Sequence, residues 1–563
     1  MMGKIRKRIL NLIKNPLFFL IMFSFLNGIL LFKITNLAPP DFYKYCFAAE
    51  KLFAGNLKLK FIPPLFPVFL WILGSFINLL FSNYDGFIIG AKLISFLSSV
   101  GIVFFSYKLF KETTENFYSI GVIFILSSPF LQFFVFPTTD SLYLFFVVLS
   151  FYFFLTEKNV ASFVSSLLGV FTRFEGILLF FSYIVNFIRI KKKIWVKYLM
   201  FILIISGGLL VFYIKLVPRL ISKIQYIFDS KSYLYFIKNP LQLFSIIYSA
   251  ILFFIPAKLP LFIHWGFLFI LIILFAVGFY YLYKKNKRFA ISVLLYECIF
   301  FIAKGYIFTV HRFSLSSSHH IRRFLSFIYL FYFVSFVGLF YGLKVLKEKL
   351  KGKSFFYLRI ILYLFVLYIC FVKLIIVPSI ILISIVFIAP IIYLFIKDYR
   401  IHIFEKAIFF ILFFVFFMNI YLISYKKAYK YNLLSPNRGA YVIAKWLNNN
   451  HIKPGDRIAV FSTLTTVRYY LNKKVNIIYF IPKTKSIYDN YNKLVNFFLK
   501  KIIKYKIKYI IFDGYMNPID RPGEVALKRM LFKESKKGRY FKIKKQLIYK
   551  NQYVATILKF RKF

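Results

Sequence analysis

Acidic residues are scarce in this chain. There are 19 Asp plus Glu against 76 Lys plus Arg in 563 residues, a formal net charge of +57. Any chemistry that needs a general base or a metal ligand must draw on those few carboxylates. Cysteine is scarcer: Cys46, Cys298 and Cys370 lie far apart, which excludes a disulfide framework and a cysteine-based metal site. No repeat of solenoid length and no low-complexity linker is present. The C-terminal part has no Gly-rich phosphate fingerprint.

What is abundant is apolar. Hydrophobic residues make up 60% of the chain, aromatics 23%, and Phe alone numbers 80. A water-soluble protein is nearer about 45–50% apolar, so a soluble globular protein is excluded. A basic balance this strong can mark a nucleic-acid binder. Here the Lys and Arg cluster between apolar runs too long for such a fold, and a membrane protein fits instead. Part of the Phe, Ile, Lys and Asn excess is attributable to composition bias, which carries no function.

The first apolar run, 16–34, follows a basic start, outlasts a signal peptide and has no small-x-small cleavage site after it. It reads as an uncleaved membrane helix entered from the cytoplasm. Further runs lie near 86–107, 117–136, 141–156, 159–172, 174–188, 195–217, 260–283, 289–310, 324–342, 355–375, 377–396 and 405–424, about thirteen spans with the first. The stretch 61–81 has three prolines near its start and reads as an interfacial helix. Thirteen spans place KIRKR, KLFKETTEN, EKN, RIKKKIWVK, KKNKR, KVLKEKLKGK and KDYRIHIFEK on the cytoplasmic side, most of them strongly basic, as the positive-inside rule requires. Counting 61–81 as a span would send RIKKKIWVK outside.

The expected architecture is therefore a polytopic α-helical membrane domain over 1–424 and an extracytoplasmic α/β domain over 425–563. The second part alternates helical stretches such as RGAYVIAKWLNNN with short apolar strands, RIAVF, VNIIYF and KYIIF, and a KPGD turn. It holds 32 basic and 6 acidic residues, a net of +26. That charge reads either as composition or as attraction to anionic lipid heads or cell-surface polymer.

Thirteen carboxylates remain for the membrane part. Glu112, Glu115, Glu157, Glu348, Asp398 and Glu405 fall in cytoplasmic loops as solvated charges, and Asp85 opens a span as a helix cap. Asp41, Glu50, Asp140, Glu175 and Asp229 fall on the outer side, and Glu297 inside a span. Asp41, in APPDFYKYCFAAEKLFAGN, and Asp140, in FPTTDSLYLFF, each stand at the outer start of an apolar element. Each can be a helix cap, or the two can converge over one cavity. Arg173 lies between two apolar runs, two residues before Glu175. A charge near hydrocarbon costs about 2–3 kcal/mol on insertion scales unless paired or useful. A local Arg173–Glu175 pair and an Arg173 facing the outer cavity are both open. The loop HRFSLSSSHHIRR gathers His311, Arg312, His319, His320, Arg322 and Arg323 as donors for phosphate. His319 and His320 can alternatively bind a divalent metal with Asp41, although adjacent histidines on one element point apart. No other cofactor is implied. Glu297 marks function or a polar contact inside the bundle, and Lys304, seven residues on, shares its face but lies beyond direct i+4 reach.

The first outer loop resembles that of membrane glycosyltransferases of the GT-C type, which use polyprenyl-phosphate sugars; protein O-mannosyltransferases and the aminoarabinose transferase of lipid A belong to them. The matching residues are Asp41, Tyr45, Ala48, Ala49, Gly55, Pro63, Pro64 and Pro67. Asp140 looks like the Asp after the third span, Thr172 to Gly176 looks like the family's T-R-x-E-G, and Arg323 with Phe324 looks like its later R-Y/F. Many relatives carry a second acid beside the first Asp, where this chain has Phe42. The Trp-Trp-Asp signature of oligosaccharyltransferases is absent, which favours single-sugar transfer.

The resemblance implies transfer of one sugar, as by a hexosyltransferase, from a polyprenyl (dolichyl-type) phosphate to a protein, lipid or polysaccharide hydroxyl on the outer face, with inversion. Asp41 would be the base and Asp140 would orient the acceptor or steady an oxocarbenium-like centre. Arg173, Arg322, Arg323, His319 and His320 would hold the donor phosphate, and Tyr45 and Glu175 would position donor and acceptor. The competing readings are a multispan transporter or lipid flippase, and a non-enzymatic envelope assembly protein that docks through its basic tail.

Overall fold

The computed structural model describes residues 16–22, 24–25, 42–53, 62–81, 86–114, 139–179, 261–310, 324–349, 436–449, 456–461, 476–478, 485–513, 522–537, 540–549 and 552–560, with isolated residues between them. The chain divides into two compact units. The first comprises Met1–Lys33 and Ala48–Tyr425, and the second Ile34–Phe47 and Lys426–Phe563.

Among the described residues, the regular elements of the first unit are helices. Its helices are α2 (Leu65–Leu80), α3 (Gly86–Thr113), α4 (Thr139–Leu155), α5 (Asn159–Thr172), α6 (Leu261–Lys285), α7 (Lys287–Val310) and α8 (Leu325–Lys349). They follow α1 (Phe42–Phe53), whose first half belongs to the second unit. Among the described residues three helices are long and apolar enough to cross a membrane: Gly86–Thr113, Leu268–Lys285 and Leu325–Val345. Helices α2, α4 and α5 are apolar but shorter. The expected runs 195–217, 355–375, 377–396 and 405–424 lie outside the described residues, as do most of 16–34, 117–136 and 174–188. The stretch read as interfacial is a helix, α2. It begins directly after Pro64 and carries Pro67 in its first turn, where a missing N–H costs no hydrogen bond.

Aromatic side chains fill the bundle. Phe110 packs on Phe333 and Phe336, Phe151 on Phe289 and Tyr296, and Phe275 stacks on Phe331 at 5.0 Å. Helices of apolar surface gain nothing from one another's hydrophobicity inside lipid, so close backbone approach has to hold them. Helices α6 and α8 meet this way. A Cβ at Gly278 would overlap the Val334 carbonyl, and one at Gly338 the Leu274 carbonyl. Ser335 Oγ donates across the same crossing to the Leu271 carbonyl at 3.3 Å. Gly338→Leu should therefore lower the unfolding temperature in detergent by several degrees, since overpacking costs about 1–3 kcal/mol or more. Gly342→Ala, with nothing within 4 Å of the added carbon, should leave it unchanged.

The second unit is an α/β sandwich. Its helices are α9 (Pro436–Asn449), α10 (Tyr491–Tyr505) and α11 (Pro522–Lys537). Its strands are β1 (Arg457–Phe461), β2 (Asn476–Ile478), β3 (Tyr509–Asp513), β4 (Phe541–Tyr549) and β5 (Gln552–Phe560), in the order β2-β1-β3-β5-β4. The first three are parallel, and the β4–β5 hairpin adds antiparallel strands at one edge. Alternation along the strands sends residues to opposite faces. Ile458, Val460, Ile511, Ala555 and Ile557 pack against Ala440, Ile443, Ala444 and Leu447 of α9. On the other face Ala459, Phe461, Ile510, Phe512 and Leu558 meet Leu494, Phe498 and Ile502 of α10 and Leu527, Met530 and Leu531 of α11. Asn490 caps α10 by accepting from the Lys493 amide at 3.1 Å. Tyr43 of α1 joins this unit through a 3.1 Å hydroxyl–hydroxyl bond to Tyr470.

Candidate functional site

Within the first unit, four charged side chains from separate elements meet. Asp140 stands in the first turn of α4 and is 3% exposed. Helix α5 ends at Thr172, and Arg173 leaves it with extended backbone, φ −149° and ψ 145°. A single 3₁₀ turn, Phe174–Gly176, follows at once. Gly176 closes it, its amide donating to the Arg173 carbonyl at 2.9 Å. The turn lies so close on the end of α5 that a Cβ at Gly176 would overlap the backbone of Gly169 and Val170. The glycine of the T-R-x-E-G stretch is thus the residue that lets the chain double back and bring Glu175 beside Arg173.

Arg173 forks between two carboxylates. Its Nε and Nη2 donate to Glu175 at 3.2 and 3.1 Å, and its Nη1 donates to Asp140. Glu175 also accepts from Lys304 Nζ, which arrives from α7. The cluster balances two cations with two carboxylates. In apolar surroundings that balance is what makes the charges tolerable, because a single uncompensated one is costly. Near it, Tyr143 of α4 shares a 3.1 Å bond with the hydroxyl of Tyr296 on α7, and Tyr296 donates to Ser326 on α8 at 2.8 Å. This buried polar chain fixes α4, α7 and α8 beside the ionic cluster.

Of the two readings of Arg173, the local pair with Glu175 forms, and the same guanidinium reaches Asp140, a contact that neither reading named. Lys304 is the member that sequence reasoning missed. Spacing placed it on the face of Glu297, on its own helix but out of direct reach, and the structure pairs it with Glu175, 129 positions away in sequence. Its burial, 5% exposed, follows from the stripe Phe289, Val293, Tyr296 and Phe300 that leads to it at helical spacing. Glu297 is buried on the same helix, and among the described residues neither of its carboxyl oxygens has a hydrogen-bond partner.

Tyr45 is half-buried on α1, within the part of that helix that belongs to the second unit. Asp41, His319, His320, Arg322 and Arg323 lie outside the described residues. Phe324, after Arg323, is buried at the start of α8. Among the described residues, no group of three His, Cys, Asp or Glu side chains is placed to hold a metal ion.

No family model matches the chain, and no curated protein matches it. Among solved structures, ArnT from Cupriavidus metallidurans bound to undecaprenyl phosphate aligns over 96% of this chain and 97% of its own, with 14% identity and a TM-score of 0.46. The apo state of the same protein aligns over the same shares with 13% identity and a TM-score of 0.47. A superposition of this quality identifies neither a family nor a substrate for this chain.

Proposed function

We propose that this protein transfers a single sugar from a polyprenyl phosphate to an acceptor hydroxyl, inverting the anomeric centre. The observation that carries the reading is the Asp140–Arg173–Glu175–Lys304 cluster, built inside an apolar bundle at the residues that resemble GT-C glycosyltransferase motifs. Buried charges of this kind are rare in membrane helices and mark function by default.

The roles follow from the chemistry. Asp41 takes the proton of the acceptor hydroxyl as its oxygen attacks the anomeric carbon. The bond from that carbon to the phosphate oxygen breaks, and polyprenyl phosphate leaves as an anion that needs no proton. Asp140, held by the Arg173 guanidinium, acts in this scheme as the carboxylate that orients an acceptor hydroxyl or steadies a cationic sugar. Arg173 spends three N–H groups on Asp140 and Glu175. Its main task in this scheme is to hold Asp140, which shifts the burden of the donor phosphate to Arg322, Arg323, His319 and His320. Tyr45 helps to position the sugar.

Membranes containing the full chain, incubated with a radiolabelled polyprenyl-phosphate sugar, should pass label into a protein, lipid or polysaccharide fraction. Membranes without the chain should not. Solute uptake by the reconstituted protein in the absence of any donor, with no label transfer, would establish a transporter instead. Arg322→Ala with Arg323→Ala should raise the KM for donor about tenfold or more while Asp140 chemistry persists, as loss of charge-assisted hydrogen bonds predicts. Donor titrations on the double variant check this.

A further inference from the structure

The outer surface of the second unit is asymmetric. Helices α10 and α11 cover one face of the sheet and α9 the other. The residues of α10 and α11 that point away from the sheet are basic with apolar residues among them. On α10 they include Lys500, Ile503 and Lys504; on α11, Arg529, Phe532, Lys533 and Lys536, at the i, i+3, i+4, i+7 spacing of one stripe. Ile503 is 67% exposed and Phe532 41%. Of the two acids on α11, Glu524 and Glu534, Glu534 is turned inward: it is 3% exposed and accepts from the Tyr491 hydroxyl of α10. Lys533 Nζ lies 4.9 Å over the same Tyr491 ring. These two contacts tie the helices into one layer. On α9, Lys445 is an exposed cation, and no exposed large hydrophobic residue accompanies it among the described residues.

We propose that the α10–α11 layer docks on a membrane surface rich in anionic lipid. Exposed lysines stand on both sides of the sheet, Lys445 of α9 and Lys559 of β5 among them, so what singles out this layer is the exposed Phe532 and Ile503 among its cations. A soluble polyanion would be served by the cations alone. Phe532 and Ile503 standing among them match the boundary between headgroups and acyl chains, where an apolar side chain inserts while Lys and Arg pair with phosphates. The chain also carries membrane-crossing helices, so lipid is always at hand. The inference does not depend on the reaction proposed above.

The test uses the full chain in nanodiscs. Phe532→Trp supplies a reporter, read as the difference from the parent protein, and a lipid spin-labelled near its headgroup supplies the quencher. Discs of phosphatidylcholine with phosphatidylglycerol should give several-fold more quenching than discs of phosphatidylcholine alone. The excess should fade as salt is added and vanish when Lys500, Lys504, Arg529, Lys533 and Lys536 are all changed to Glu. Lys445→Glu should leave it intact. Should the fivefold variant fail to fold, the salt titration on Phe532→Trp alone decides. Equal quenching in both discs, or none in either, overturns the proposal. So does an absence of quenching combined with a shift of Trp emission on adding soluble poly(glycerol phosphate), which would assign the face to an anionic polymer.

Discussion

Arg173→Met should lower sugar transfer about a hundredfold to a thousandfold and weaken the fold together. The substitution removes the centre of a four-member cluster and leaves Asp140 without the guanidinium that reaches it. Removing one partner of a buried ion pair costs about 3–5 kcal/mol, because the other charge stays buried. Glu175 keeps Lys304, and Asp140 loses its ion pair with Arg173. Loss of an oriented electrostatic group costs about a hundredfold to a thousandfold in kcat, and that is the fall expected here, with KM for donor changing less. Arg173→Lys retains the charge but not the fork, since one ammonium cannot serve both carboxylates in the geometry of a planar guanidinium. It should recover stability more than turnover. Lys304→Met should be milder in both, as Glu175 retains two bonds from Arg173. Unfolding temperatures measured beside initial rates separate the two effects. Wild-type turnover in Arg173→Met would remove the cluster from the mechanism.

Asp41→Asn should lower transfer by about a hundredfold to ten-thousandfold, the range expected of a lost general base. Asn keeps the size and the capping oxygen but cannot accept the acceptor's proton. Helix α1 begins at Phe42, the next residue, so the capping role and the catalytic role make different predictions here. A cap survives Asp→Asn almost unchanged, whereas a base does not. Normal turnover in Asp41→Asn would leave Asp41 as a cap.

Long apolar runs were legible in the sequence because lipid demands them: 86–107, 260–283, 289–310 and 324–342 correspond to α3, α6, α7 and α8. The proline-rich 61–81 segment was legible as a helix for the reason that prolines fit a first turn. Strands β1, β2 and β3 stood out as short aliphatic runs bounded by polar residues. The β4–β5 hairpin did not, because lysines in FKIKKQLIY hide the alternation that its register reveals. Arg173 and Glu175 were readable as a pair because they are close in sequence and burying such charges is costly; their contact with Asp140, on another helix, was not. Lys304 was not, because its partner comes from a distant helix and periodicity reports faces, not neighbours. The Gly278–Gly338 crossing was hidden for the same reason. Glycine in an apolar run is common, and only the facing backbone shows that a side chain has no room.

The central claim is that this chain splits a polyprenyl-phosphate sugar with the help of Asp41 and the Arg173 cluster. Phosphorus NMR of the purified full chain in liposomes, given such a donor and an acceptor extract, follows the bond itself. The phosphodiester signal of the donor should convert to the monoester signal of polyprenyl phosphate, and conversion should fall close to background in both Asp41→Asn and Arg173→Met. A donor signal that stays unchanged with the wild-type chain, or one that converts equally with both variants, would contradict it.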